Sequence, residues 1–246
     1  MAVAAQLVRE ETESHVAADP RLIIPLDLPT VADAEAMVER LGDSVSFYKI
    51  GLQLLATGGM GLAKDLKTHG HRIFLDWKLH DIGATVEKAT AAIVATGACD
   101  FLTVHGEPQV LAAAVRGRAG AVEAKILGVT VLTSLSEADL KQIGYGEGVA
   151  ALVERRIRQA LDAGADGVIA SPHEAALARR IGGPDFLVVT PGVRPAWSGA
   201  DDQARAATPA EALAAGASHL VCGRPITAAA DPRAAARNVA LEMAGS

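Results

Sequence analysis

Between Ile73 and Ile82 an apolar run turns into charge: Ile73-Phe74-Leu75-Asp76-Trp77-Lys78-Leu79-His80-Asp81-Ile82. Side chains two apart on a strand point the same way, so Asp76 and Lys78 share one face while Leu75 and Trp77 take the other. An acid and an amine held side by side are suited to stabilising a developing charge and to moving a proton. Asp81 follows where the strand ends and where Ile82, Val86, Ala89 and Ile93 begin a helical spacing, so it need not point where the other two point. A surface strand end with a salt bridge, and an Asp as helix N-cap, would account for any one of these charges alone. Three of them at the mouth of a buried strand are a different matter, because burying an Asp and a Lys is costly unless each is paired.

A second group lies late in the chain, in Ser218-His219-Leu220-Val221-Cys222-Gly223-Arg224-Pro225-Ile226-Thr227. A strand ending in Gly223 and Arg224 just before a helix sets backbone N–H groups beside a guanidinium, an arrangement that holds phosphate. Gln203, in a long preceding connection, could donate an amide to the same anion or to a ring; a solvated loop glutamine is the simpler account of it alone. Acid–amine pairs together with a phosphate seat point to a small phosphorylated metabolite.

The elements that must position these groups alternate along the whole chain. Strands are expected near Leu22–Asp27, Ser44–Gly51, His71–Lys78, Cys99–His105, Lys125–Leu132, Gly167–Ser171, Phe186–Thr190 and His219–Cys222. Helices are expected near Ala32–Leu41, Leu52–His69, Thr85–Thr96, Pro108–Ala119, Val149–Ala163, Glu174–Ile181, Pro209–Ala215 and Ala228–Met243. Such alternation implies parallel strands covered on both faces by helical crossovers. The reading is an α/β fold, a single-domain (β/α)₈ TIM barrel over residues 21–246, for which ~250 residues is typical. A doubly wound open sheet is the alternative, weakened because the first strand runs into Leu26-Asp27-Leu28-Pro29 and not into a glycine-rich fingerprint. In a barrel, Asp27, Lys49, Asp76, Lys78, His105, Thr133, Ser171, Arg194 and Arg224 all fall at the C-terminal ends of strands, the face that carries active sites. Two connections, Ser134–Gly148 and Gly192–Thr208, are long enough to serve as lids or to be variable surface loops.

Composition narrows the classes. The 246 residues are 50% hydrophobic with a net charge of −6, which gives no general attraction to nucleic acid or an anionic membrane. No apolar run approaches a membrane span. Residues 1–20 read as an N-terminal extension without an apolar signal core, and the protein as cytoplasmic. Cys99 and Cys222 read as buried thiols, and the seven scattered histidines give no zinc-ligand spacing.

Phe74-Leu75-Asp76-Trp77-Lys78-Leu79-His80-Asp81-Ile82 with Thr85 resembles the signature of the orotidine 5′-phosphate decarboxylase family. The likeness extends through Leu26-Asp27-Leu28-Pro29, Tyr48-Lys49-Ile50-Gly51, Leu132-Thr133-Ser134, Thr190-Pro191-Gly192-Val193-Arg194-Pro195, Asp202-Gln203 and Gly223-Arg224-Pro225-Ile226. It departs from the family at Trp77 and Leu79, where other apolar residues are usual, and at Gly83, which replaces a common proline.

The resemblance implies a lyase of UMP biosynthesis that converts orotidine 5′-phosphate to UMP and CO₂ without cofactor or metal. It makes Lys78 the proton donor, sets Asp76 beside it at the reacting carbon, and has Lys49 bridge Asp76 and a ribose bound by Asp27. Thr133 and Ser134 would meet the pyrimidine, Gln203 would span base and phosphate, and Arg194, Gly223 and Arg224 would hold the phosphate. Asp81, Ile82 and Thr85 would reach the partner's site in a homodimer with shared active sites. Two rivals remain: a magnesium-dependent decarboxylase or aldolase of sugar phosphates on the same scaffold, and a barrel that only binds a nucleotide or phosphate. The first needs a metal-binding Glu where Lys49 stands. The second has no use for alternating buried lysines and aspartates.

Overall fold

The computed structural model describes residues 17–198 and 207–245. Eight parallel strands close into a barrel in chain order: β1 (Leu22–Pro25), β2 (Phe47–Gly51), β3 (Arg72–Leu79), β4 (Phe101–His105), β5 (Lys125–Val129), β6 (Gly167–Ile169), β7 (Leu187–Pro191) and β8 (His219–Val221). The eight crossover helices are α1 (Val31–Leu41), α2 (Gly59–Thr68), α3 (Gly83–Val94), α4 (Pro108–Arg118), α5 (Val149–Asp162), α6 (Ala175–Gly182), α7 (Pro209–Ala214) and α8 (Pro232–Ala244). This is the (β/α)₈ barrel expected from the alternation. Among the described residues, no helix is long and apolar enough to cross a membrane.

The sheet's two faces pack differently. Ile23, Phe47, Phe74, Phe101, Leu127, Val189 and Val221 form a separate buried cluster that fills the barrel's interior. The opposite residues of the strands, among them Ile24, Tyr48, Ile73, Leu75, Leu102, Ile126 and Val188, pack outward in the main core with the helices. Because side chains alternate, the positions two residues beyond the interior phenylalanines also face inward, one layer nearer the mouth. On three neighbouring strands those positions are Lys49, Asp76 and Thr103.

Several boundaries differ from expectation, each for a local reason. The stretch expected as one helix over Leu52–His69 is two, Leu52–Leu55 and α2, because Gly58 takes φ +117 between them. The stretch Ala228–Met243 likewise begins its main helix only at Pro232, capped by Asp231, since a proline is accepted in a helix's first turn and not in its interior. The long connection after β5 contains a short helix, Glu137–Gln142, opened by a capping box in which Ser136 and Asp139 satisfy each other's backbone. Most strands are shorter than expected by a residue or more at one end or both, while β3 and β7 each run one residue further at the mouth.

Candidate active site

Four charged groups of alternating sign cross the barrel mouth from β1 to β3. Lys49 Nζ donates to Asp27 Oδ1 at 3.0 Å and lies 3.4 Å from Asp76 Oδ2. Lys78 Nζ donates to the other oxygen, Asp76 Oδ1, at 2.7 Å. Asp76 therefore sits between two ammonium groups. Lys49 is buried, the Asp76 and Lys78 side chains are 14% and 27% exposed and the Asp27 side chain 54%, so the expectation that all these groups are buried holds for Lys49 alone and fails most clearly for Asp27, which stands at the rim. Gly51 makes room for the arrangement: a Cβ there would lie 2.7 Å from Asp27 Oδ1.

Burial is the largest influence on the Asp76 carboxyl and by itself would raise its pKa. Lys49, Lys78 and the hydrogen bonds from Lys78 and Thr103 together outweigh it, and the group is held below its ordinary value of 3.8. Asp76 is thus a carboxylate at neutral pH, fixed against an ammonium that can approach a ligand.

Asp76 and Lys78 both face the cavity, as their spacing suggested; alternation from Phe74 accounts for Asp76, but Lys78 reaches it through an irregular backbone. The β3–β4 register shifts between Leu75 and Leu79, and Lys78 has φ +46 in the left-handed region. Thr103 fills the break: its hydroxyl accepts from the Lys78 N–H at 3.0 Å and donates to Asp76 Oδ1 at 2.9 Å. The sequence reading passed over Thr103. The signal was present, since Phe101-x-Thr103 repeats the Phe47-x-Lys49 and Phe74-x-Asp76 spacing on the two preceding strands.

These residues line a cavity of about 470 Å³ at the C-terminal end of the barrel. Asp27, Lys49, Asp76 and Lys78 stand on its β1–β3 side, Thr133 and Ser134 follow β5, and Arg194, Gly223 and Arg224 close it from the β7–β8 side. Val129, Ile169, Pro191 and Val221 give it an apolar floor. One wall thus offers alternating charge, the opposite wall two guanidinium groups, and the surface between them suits a flat ring. Outside the cavity, Arg156 braces the end of β5. It donates to Thr130 O at 2.8 Å, Glu107 Oε1 at 2.8 Å and Tyr145 Oη at 2.6 Å, tying the Ser134–Gly148 connection to the turn between β4 and α4.

Asp81, Ile82 and Thr85 do not line this cavity. All three are exposed, Ile82 to 72%. Asp81 is not the N-cap of α3 either: Ile82 holds that position, and Asp81 Oδ1 accepts from the Ile82 N–H at 2.6 Å. Gln203 lies outside the described residues.

A model of the orotidine 5′-phosphate decarboxylase / HUMPS family matches residues 20–239. The chain belongs to this family. It is 69% identical over 232 residues to the orotidine 5′-phosphate decarboxylase of Caulobacter vibrioides, covering 93% of this chain and 99% of that one. The corresponding protein of Rhodopseudomonas palustris is 56% identical over 231 residues, with 94% and 97% covered. Among solved structures, orotidine 5′-phosphate decarboxylase from Lactobacillus acidophilus superposes with a TM-score of 0.81 at 37% identity, covering 92% of this chain and 99% of that chain. That agreement extends the likeness from sequence to the whole barrel.

Proposed function

We propose that the chain decarboxylates orotidine 5′-phosphate to UMP and CO₂ in pyrimidine biosynthesis, without a metal, and that residues 21–246 form the catalytic unit with residues 1–20 as an extension. The observation that carries this reading is the single carboxylate Asp76 clamped between Lys49 and Lys78 in the wall of the cavity. When the bond from pyrimidine carbon 6 to its carboxylate breaks, the electron pair stays on carbon 6 in the ring plane, with no adjacent carbonyl to delocalise it. The Lys78 ammonium stabilises that charge and then gives carbon 6 its proton, a preorganised electrostatic contribution of the kind that is usually largest. Asp76, ionised, disfavours a second carboxylate beside it and so destabilises the bound substrate relative to the transition state.

In the same reading Asp27 and Lys49 hold ribose hydroxyls, Thr133 and Ser134 meet the pyrimidine, and Arg194, Gly223 and Arg224 take the phosphate. Gln203 spans base and phosphate. Binding energy gathered at the remote phosphate is then expressed at carbon 6. Lys49 argues against the magnesium-dependent alternative, because an ammonium repels a cation at the place where that chemistry needs a carboxylate. The deciding experiment is loss of orotidine 5′-phosphate absorbance by the purified protein, before and after exhaustive chelation. Equal rates are expected, and activity that returns only with magnesium would sink the metal-free reading.

We further propose that the protein works as a homodimer in which Asp81, Ile82 and Thr85 complete the partner's cavity. Their exposure beside the catalytic strand, outside their own chain's cavity, supports this. A two-fold dimer would carry two such shared sites. Mixing Asp81→Ala and Lys78→Ala chains, each nearly inactive alone, should restore part of the activity, because one site of each mixed dimer carries neither substitution. If subunit exchange is demonstrated and the mixture stays inactive, Asp81 acts within its own chain.

A further inference from the structure

The ladder between β3 and β4 is interrupted where the charged pair sits. Leu75 pairs with Leu102 and Leu79 with Val104, so Asp76, Trp77 and Lys78 together face one residue of β4, Thr103. Extra residues on one strand bend it and re-aim its side chains. Here the bend is concentrated at Lys78, whose φ of +46 lies in the left-handed region that a residue with a Cβ rarely adopts. Such a conformation persists only where its surroundings over-determine it.

Two bonds hold Lys78 in place, and both pass through one small group of atoms. Its N–H donates to Thr103 Oγ1 at 3.0 Å and its Nζ to Asp76 Oδ1 at 2.7 Å. The Thr103 hydroxyl donates its only proton to the same Asp76 oxygen at 2.9 Å. Thr103 is fully buried, so water cannot stand in for either bond. Every donor and acceptor direction in the triangle is fixed: the hydroxyl must accept from the backbone of Lys78 because its proton is committed to Asp76.

We propose that Thr103 is the positioning residue of the Asp76–Lys78 pair. Its hydroxyl replaces the carbonyl missing from the interrupted ladder, holds Lys78 in the left-handed turn, and thereby brings the ammonium and the carboxylate into one cavity in a fixed relation. This rests on the decarboxylase reading of the cavity for its consequence in turnover, but not for its geometry. A threonine kept only for strand packing would be replaceable by valine, which has nearly the same shape and no hydroxyl.

The test compares wild type with Thr103→Val, Thr103→Ala and Thr103→Ser. Losing hydrogen bonds to charged or buried groups should lower the kcat of the Val and Ala variants by roughly 10- to 100-fold while KM changes less than about three-fold. The same variants should show faster hydrogen exchange at the Lys78 amide, read by NMR, by about ten-fold or more at unchanged circular dichroism. Thr103→Ser keeps the hydroxyl and should keep both wild-type turnover and wild-type exchange. Wild-type kcat in Thr103→Val, or a Ser variant as slow as the Val variant, would overturn the proposal. The amide readout separates it from the proposed function. Inactivity of wild type towards orotidine 5′-phosphate with a responsive Lys78 amide removes the substrate and leaves the positioning role, whereas an active wild type with an unresponsive amide removes the positioning role alone.

Discussion

At the mouth of the barrel Lys49 and Lys78 share the carboxylate of Asp76, whereas at the opposite end Arg72 lies with its guanidinium 4.2 Å from the centre of the Phe47 ring and 5.2 Å from that of Phe101. The His219 ring stands edge-on to the same two phenylalanines, at 6.0 Å and 5.0 Å. Both ends take cations out of water. The lower end does so with aromatic faces, which are indifferent to a ligand and simply close the interior core. The mouth instead keeps a full negative charge between two positive ones, an arrangement whose desolvation cost offsets much of its Coulombic gain. Charge placed where stability does not require it is what the proposed chemistry at the mouth would need.

The difference predicts that turnover and stability respond to opposite ends of the molecule. On the proposed mechanism Lys78→Ala removes the proton donor and the charge that stabilises the carbanion, and the loss in kcat should be at least ~10³-fold, since deleting one preorganised stabilising group alone is worth about 10²–10³. The fold should survive, because Asp76 keeps Lys49 and Thr103 as partners. Stopped assays at saturating substrate together with thermal unfolding give both quantities. Near-wild-type turnover in this variant would mean that the mouth is no more than a charged rim.

How far this contrast could be read from sequence depends on the kind of order involved. The barrel was legible because alternation of short β-branched runs with long helical stretches is a property of many residues at once, and errors at single boundaries do not disturb it. Breaks set by one or two residues were not: Gly58 divides a stretch whose hydrophobic spacing continues on either side, and the Ser136–Asp139 capping box opens a short helix inside a connection whose composition is that of a loop. In the site, Asp76 and Lys78 were legible by type and spacing, and Lys49 by the resemblance. The register shift was not, since an expectation of unbroken period-two alternation already places both side chains on the correct side and gives no sign of the break. Thr103 escaped for a related reason: a lone threonine in a strand is what β propensity favours, and only its bonds to Lys78 and Asp76 distinguish it.

The smallest effect on turnover, and the clearest separation of the two ends, should come from His219. Burial is the main cause that pushes its imidazole down from the ordinary 6.5 to about 4; the Arg72 guanidinium acts in the same direction, as does Arg21 more weakly, and Asp19 opposes them. An unfolded chain takes up this proton near pH 6.5 and the folded chain only near pH 4. Between those values the unfolded state binds more protons, so stability falls as the pH is lowered through the window, by roughly 2–3 kcal/mol for this group. Asp76 contributes in another window. Its carboxyl is held below 3.8, so its contribution is intact over most of the His219 window, begins to fade as the pH nears 4 and is lost mainly at lower pH. His219→Gln removes the titration while keeping a polar group able to reach Ser218, whose Oγ lies 3.2 Å from His219 Nδ1. Urea unfolding at pH 7 and pH 4.5 should then show a smaller loss of stability in the variant than in wild type, with kcat at pH 7 unchanged. An equal loss in both proteins would move the acid sensitivity away from His219, and a fall in kcat at pH 7 would show that the aromatic end of the barrel is coupled to the mouth after all.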